Sequence, residues 1–338
     1  MNTSRSRPLN RFSLLAVLTV SMILSNDSLA QDIRSTVAGG DINVTLLATN
    51  LSDQLGPMTS QGEFSFAAWV EVGEKAFLFD TGWSPENVLS NARVLGIDLS
   101  RAEDLIVSHH HYDHVGGIET LRRELSKSNP NALSRIHVAE GMFASRPKPD
   151  GREGNLMIGI RERLTGTGVE FLVHKQPTEI AAGVWVSGPI PRVHAEKNFP
   201  VGAGWMIQKG DTLEPDLVPE SQVLVIQSDG GPVVITGCGH AGLINSLEYA
   251  QDMADGAPPI AAIGGFHLYA ATDDVMSWTA EHIKSLGLEY MIGAHCTGVE
   301  KLFTLREIAG LDRNHARVGS VGTQFNGDRG IKPGNSNK

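Results

Sequence analysis

From residue 42 onward, short apolar runs bounded by turn residues alternate with amphipathic stretches of helical period. Residues 42–47 form the first apolar run and predict a strand. Residues 64–72 and 75–79 predict a hairpin turned at Gly73-Glu74. Further strands are predicted at 105–107, 136–139, 169–173, 184–186, 222–228, 233–236, 260–263 and 290–292. Helical spacing covers 88–95, 117–125, 243–254, 274–286 and 299–305. Residues 146–156, with Pro147 and Pro149, read as a loop. The alternation of strands and helices predicts one α/β domain over 31–325, with no internal repeat and no dividing linker. Residues 189–220 stand out as rich in Pro and Gly with little periodicity. A long irregular stretch inside a domain reads as a functional lid or binding loop, with a surface insertion as the alternative. From Asn326 the chain is Gly-, Asn- and Lys-rich, and 326–338 reads as a flexible tail.

The first thirty residues follow a different pattern. Arg5, Arg7 and Arg11 precede an apolar run of thirteen residues, 12–24, and a small-residue exit at Ser28 and Ala30. These features predict a secretory signal peptide over 1–30, cleaved near Ala30. Thirteen residues at ~1.5 Å each fall short of the ~30 Å hydrocarbon core, so a membrane anchor is the poorer reading. The expected location is the bacterial periplasm or the exterior, with no stable membrane anchor after cleavage.

Composition narrows the function classes. The 338-residue chain is 41% hydrophobic and 20% charged, the profile of a globular protein. Its formal charge of −10 argues against a nucleic-acid binder held by phosphate contacts. Loss of residues 1–30, with three arginines and one aspartate, would leave 308 residues and a charge near −12. An anionic substrate would then need a locally cationic site. Two cysteines, Cys238 and Cys296, exclude a disulfide scaffold and a Cys-rich zinc module. In an oxidising compartment they have the option of pairing.

Twelve histidines are more telling once they are placed. The stretch Ser108-His109-His110-His111-Tyr112-Asp113-His114-Val115-Gly116-Gly117 directly follows a predicted strand. Imidazole and carboxylate suit zinc and other first-row metals. At a strand end entering a turn, His109 and His111 share one side and can meet at one ion, with Asp113 and His114 reaching a second. His240, His267 and His295 each follow a later predicted strand. All three fall at the strand end where ligand sites of α/β proteins gather. The four segments together predict a metal site.

These residues carry a family resemblance. His109-x-His111-x-Asp113-His114 resembles the signature of the metallo-β-lactamase fold superfamily, and Asp80-Thr81-Gly82 resembles its upstream Asp-Thr-Gly element. The segments around 78–98, 106–117, 188–192, 233–246, 263–268 and 294–298 extend the likeness to a dihydropteroate-synthase-like branch. That branch is related to 7,8-dihydropterin-6-methyl-4-(β-D-ribofuranosyl)-aminobenzene-5'-phosphate synthase. The resemblance implies an αββα sandwich with metals at one edge of the two sheets. It implies His109, His111 and His240 on one metal, Asp113, His114 and His295 on the other, and Asp80 as structural support. Where most superfamily hydrolases place a bridging aspartate, this chain has Gly264-Gly265-Phe266-His267. Either His267 takes that metal position or the bridge is solvent only, with a supporting or substrate-binding role as the alternative for His267. A β-lactamase is a poor fit, because His114 after Asp113 resembles the other branches. Cys238, two residues before His240, has the option of facing the site but is not at the place of a lactamase metal cysteine.

The expected chemistry is hydrolysis by a metal-bound hydroxide on a phosphoester or other small anionic substrate, with lactones and amides also open. The expected cofactor is zinc, one or two ions, with iron or manganese as alternatives. Asp113 is the candidate for orienting water and moving its proton. Arg192 and His194, on the irregular stretch, and Trp83, beside the Asp-Thr-Gly turn, are the candidate substrate contacts. Two other classes remain in play: iron-dependent redox chemistry on the same fold, and a non-catalytic metal- or ligand-binding protein.

Overall fold

Strand alternation in this chain sends apolar side chains to two different cores, and that duplication builds the architecture. In Lys75–Phe79, Phe77 and Phe79 face one hydrophobic cluster while Ala76 and Leu78 face another. In Gly231–Thr236, Val233 and Ile235 join the same cluster as Phe77, while Val234 joins a third. A strand buried on both faces is the middle of a layered structure. The computed structural model describes residues 35–55, 58–196 and 204–334. The predicted signal peptide lies outside these residues.

Along the chain the strands are β1 (Ile42–Ala48), β2 (Gln54–Leu55), β3 (Met58–Thr59), β4 (Ala67–Val72), β5 (Lys75–Phe79), β6 (Asp104–Ile106), β7 (Arg135–Ala139), β8 (Glu170–His174), β9 (Thr178–Ala181) and β10 (Val184–Val186). They continue with β11 (Met206–Lys209), β12 (Thr212–Pro215), β13 (Val223–Ser228), β14 (Gly231–Thr236), β15 (Ala261–Gly264), β16 (Tyr290–Gly293), β17 (Ala316–Val318), β18 (Gln324–Asn326) and β19 (Gly330–Lys332). The helices are α1 (Asn87–Leu95), α2 (Tyr112–Val115), α3 (Ile118–Leu125), α4 (Leu156–Leu164), α5 (Leu243–Met253), α6 (Asp273–Leu286) and α7 (Val299–Ala309).

One sheet has the order β19-β18-β1-β4-β5-β6-β7-β8 and the other β17-β16-β15-β14-β13-β10-β9. The cluster containing Phe77 and Ile235 lies between the sheets. α1, α3 and α4 cover the outer face of the first sheet. α5, α6 and α7 cover the outer face of the second. The fold is therefore an αββα sandwich. β5 to β8 run parallel, as do β14 to β17. The segments after β5, β6, β14, β15 and β16 consequently leave at strand C-termini, where ligand sites of open α/β sheets form.

Several stretches differ from expectation, among them the short strands β2, β3 and β9, where none is predicted. Residues 156–164 form α4, where the sequence pattern predicts no helix. Gly159 weakens its intrinsic helical signal, but Asn155 caps it by accepting from the Met157 N–H at 3.0 Å, and Met157, Ile160 and Leu164 pack inward. Residues 189–220 hold the β11–β12 ribbon rather than being irregular throughout. The last predicted helix runs on to Ala309, and β17 follows it. Residues 326–334 do not fray. The Asn326 side chain donates to the carbonyls of Gly40 and Ile42 at 3.1 and 3.0 Å, so a polar stretch closes the sheet against β1 through β18 and β19. No helix among the described residues is long and apolar enough to cross a membrane.

Phe77 is wholly buried between the sheets. Phe77→Ala is expected to cost about 3–5 kcal/mol in urea unfolding, through lost burial and a cavity. A loss below about 1 kcal/mol, the ordinary size for a mild substitution, would contradict this assignment of the inter-sheet core.

Candidate metal centre

Five segments leaving strand ends bring the centre together. β5 delivers Asp80, β6 delivers residues 108–114, β14 delivers Cys238 and His240, β15 delivers His267, and β16 delivers His295. Three of these residues sit in the left-handed backbone region: Asp80 at φ +55, His267 at +47 and His295 at +48. Non-glycine residues avoid this region unless the surrounding structure compels it, and such strain concentrates at functional sites. For His295 the compulsion is visible. Asn50 Nδ2 donates to its carbonyl at 3.0 Å, and its own N–H donates to Thr49 Oγ1 at 3.2 Å.

Asp80 has no exposure to solvent. Its Oδ1 accepts from the Ser108 N–H and its Oδ2 from the Ser108 hydroxyl, both at 2.7 Å. Oδ2 also meets His114 Nδ1 at 2.7 Å. Because the Ser108 hydroxyl spends its proton on Asp80, it accepts from His109 Nδ1 at 2.8 Å. With Nδ1 as the donor on both rings, this chain of bonds orients each Nε2 toward the metal position. Thr81 ties the same turn to α2, its N–H and hydroxyl donating to the His114 carbonyl at 2.8 and 2.9 Å. The opposite wall needs a glycine. A Cβ on Gly237 would lie 2.0 Å from Ser108 Oγ and 2.8 Å from Asp80 Oδ2.

The donors converge in groups. His109 Nε2 lies 3.0 Å from His111 Nδ1, and His240 Nε2 lies 3.2 Å from the same atom. Donors held at ~2.0–2.3 Å by one zinc ion stand about 3–3.6 Å apart, so these three rings fit one ion. Asp113 Oδ2 lies 3.1 Å from His295 Nε2 and 3.7 Å from His114 Nε2. Asp113, His114, Cys238 and His295 have donor atoms within 4.8 Å of one another, and His109, Cys238 and His240 form a second such group. His267 joins neither. It stands with Cys238 and Cys296 in a third group, its ring 4.6 Å from that of His240. Both cysteines are buried free thiols.

Electrostatics favour a cation here. Burial and the neighbouring rings push His109, His111 and His240 well below the usual histidine pKa, so they are neutral ligands at neutral pH. Burial opposes the charge on Asp113, but His114 and His295 outweigh it and keep the carboxylate ionised. For His114, Asp113 and Asp80 outweigh burial and raise the pKa. His109, His111 and His240 as neutral rings beside the ionised Asp113 are in the protonation states that a divalent ion requires, whereas His114 has to release a proton to bind one.

His110, the remaining histidine of the run, is turned toward a salt-bridge network. Its Nδ1 meets Glu220 Oε1 at 2.6 Å, and Arg146 binds Glu220 and Asp216 at 2.5 and 2.7 Å. Burial alone would raise the Glu220 carboxyl, yet His110 and Arg146 hold it down at about 2.

The expected substrate contacts are placed differently. Arg192 donates to the carbonyls of His240, at 2.6 Å, and Leu217. Its guanidinium thus braces the His240 segment rather than facing a ligand. His194 pairs with Glu248 at 2.7 Å on α5. Trp83 is neither core nor cavity wall: it is 46% exposed and meets the Tyr112 ring edge-on at 4.3 Å. The cavity of about 460 Å³ over the metal donors is lined instead by Phe64, Tyr112, Lys148, Trp205 and Tyr269. Phe64 packs on the His295 ring at 4.5 Å, and Tyr269 on the His267 ring at 5.2 Å. Among the described residues the Lys148 ammonium makes no hydrogen bond or ion pair. Tyr112 sits inside the histidine motif, but the other four carry no sequence signal, since single aromatics and a loop lysine acquire meaning only when folding gathers them.

A family profile described as the metallo-beta-lactamase superfamily matches residues 61–295. The chain is 27% identical over 283 residues to the 7,8-dihydropterin-6-methyl-4-(beta-D-ribofuranosyl)-aminobenzene-5'-phosphate synthase of Methanocaldococcus jannaschii, covering 82% of this chain and 95% of that protein. Its structure resembles that of Tm1679, a metal-dependent hydrolase of the beta-lactamase superfamily. The TM-score is 0.64 at 26% identity, over 84% of this chain and 98% of the other. The metallo-beta-lactamase fold protein YhfI from Bacillus subtilis shares the fold, with a TM-score of 0.51 at 14% identity, over 84% and 98% of the two chains.

Asp80→Asn leaves an amide where His114 and Ser108 need an acceptor. Metal affinity is expected to fall about 10–100-fold, the usual cost of losing a residue that orients a metal-binding histidine. Competition against a chromophoric chelator measures this, and unchanged affinity would exclude Asp80 from that role.

Proposed function

The chain belongs to the metallo-beta-lactamase superfamily, and we propose that it is an exported metal-dependent hydrolase of a small anionic ester, a phosphoester foremost. The observation that carries this reading is the convergence of His109, His111 and His240 beside Asp113, His114 and His295, with His111, Asp113 and His295 opening onto a cavity that Lys148 also lines. Zinc is the expected metal, with iron or manganese as alternatives, since imidazole and carboxylate donors serve all three. Bound there, it would supply hydroxide near neutral pH, by lowering the pKa of water to about 7, and offset charge on the ester oxygen.

The chain's own residues do the rest. Asp113, ionised and facing the cavity, accepts a hydrogen bond from the attacking water and takes its proton. Lys148 places an exposed positive charge at the cavity wall of an otherwise acidic chain, which recruits an anionic group. Phe64, Tyr112, Trp205 and Tyr269 present apolar ring faces on which a flat part of the substrate can rest. The name of the Methanocaldococcus relative's product includes an aminobenzene and a 5'-phosphate, consistent with an anionic ligand that carries a ring. The partner is accordingly a small molecule, not a nucleic acid. Export rests on the basic head and apolar run of residues 1–30.

Iron-dependent redox chemistry is the second reading, favoured by the two thiols and His267 beside the donor clusters. Stoichiometric iron with oxygen consumption on a thiol substrate, and no ester hydrolysis, would select it.

Chelation is expected to abolish hydrolysis of a nitrophenyl phosphodiester, and added zinc or manganese to restore it. Asp113→Asn is expected to lower kcat by about 10²–10⁴-fold, the range for lost general acid–base catalysis. A panel of phosphoesters, lactones and amides with no turnover by the metal-loaded protein would sink the hydrolase reading. Lys148→Ala is expected to raise KM for anionic esters about tenfold with kcat little changed, the mark of lost ground-state binding. An unchanged KM would remove Lys148 from substrate binding.

A further inference from the structure

We infer that the Cys238 thiolate is a metal ligand shared by the two metal positions, in the role that a bridging carboxylate plays elsewhere. The inference rests on the metal-centre reading above and concerns which atom joins its halves. Cys238 Sγ is common to all three donor groups: it stands with Asp113, His114 and His295, with His109 and His240, and with His267 and Cys296. It lies 3.1 Å from His114 Nε2, within the spacing of two donors on one ion. The residue is 3% exposed and its neighbours are the metal-site donors.

Charge points the same way. Two divalent ions bring four positive charges into a buried site whose other donors are mostly neutral rings. Among the described residues, Asp113 is the carboxylate in the donor groups, because both oxygens of Asp80 are engaged by Ser108 and His114. A thiolate supplies a second negative charge where the clusters meet, and its proton leaves to solvent on coordination. The backbone holds it there. Gly237 fits against Ser108 and Asp80 where no side chain would, and Gly239 takes φ +64, so one tight turn presents both Cys238 and His240. The two thiols are not equivalent. Cys296 Sγ points at the Cys238 carbonyl, 3.7 Å away, and buttresses that turn, whereas Cys238 Sγ faces His114.

Cobalt(II) loaded into the reduced chain tests the inference without an activity assay. The wild-type protein is expected to bind two ions and to show the near-ultraviolet charge-transfer band of a thiolate–cobalt bond. Cys238→Ser should lose the band and weaken binding of at least one ion tenfold or more. Cys238→Asp should keep two ions without the band, and Cys296→Ser should keep both ions and band. Two ions bound by the wild type with no band would overturn the inference, as would a band that survives in Cys238→Ser and vanishes in Cys296→Ser. Wild-type protein that binds no cobalt would overturn the metal centre itself, and the shared thiolate with it.

Discussion

One carboxylate, buried without solvent at the end of β5, couples the two halves of the donor cluster. Asp80 accepts two hydrogen bonds from Ser108 and a third from His114, and through the Ser108 hydroxyl it reaches His109. A buried charge of this kind is tolerated only when its lone pairs are satisfied, and here every partner belongs to the metal-site segment. The same contacts that stabilise the carboxylate therefore set the ring orientations of His109 and His114. The left-handed backbone of Asp80 and the absence of a side chain at Gly237 follow from this crowding.

The sandwich exists to bring strand ends into register around that carboxylate. β5 and β6 lie side by side in one sheet, β14, β15 and β16 in the other, and the apolar layer between them fixes the spacing. Arg192 and His194 show how far the surrounding chain serves the same end. Both were reasonable anion ligands by residue type. In the fold they fasten the 189–196 segment to the His240 carbonyl and to α5. The lysine that lines the cavity is Lys148, from a loop with no motif.

Much of the site was legible along the chain because metal ligands are dense in chemistry and short in sequence. His109, His111, Asp113 and His114 fall within six residues, and His240, His267 and His295 each close a strand. Local features failed where long-range contacts decide. α4 has weak helical character and forms because its apolar face meets the core. Residues 326–334 are polar and glycine-rich, yet hydrogen bonds to β1, far off in sequence, make them strands. His110 looks like its neighbours until Glu220 and Arg146, over thirty residues away, claim it.

By itself the sequence determined an α/β domain, the strand-end placement of the histidines and the family resemblance that implies the sandwich, since periodicity and short motifs depend on neighbours in the chain. Tertiary structure decided which donors share a position, that His267 stands apart with the cysteines, and that Cys238 lies where the groups meet. It also decided that an aromatic rim and Lys148, not Arg192, face the ligand space. The reason is geometric: donor atoms must agree to within a few tenths of an ångström, and only packed sheets hold distant segments to that tolerance.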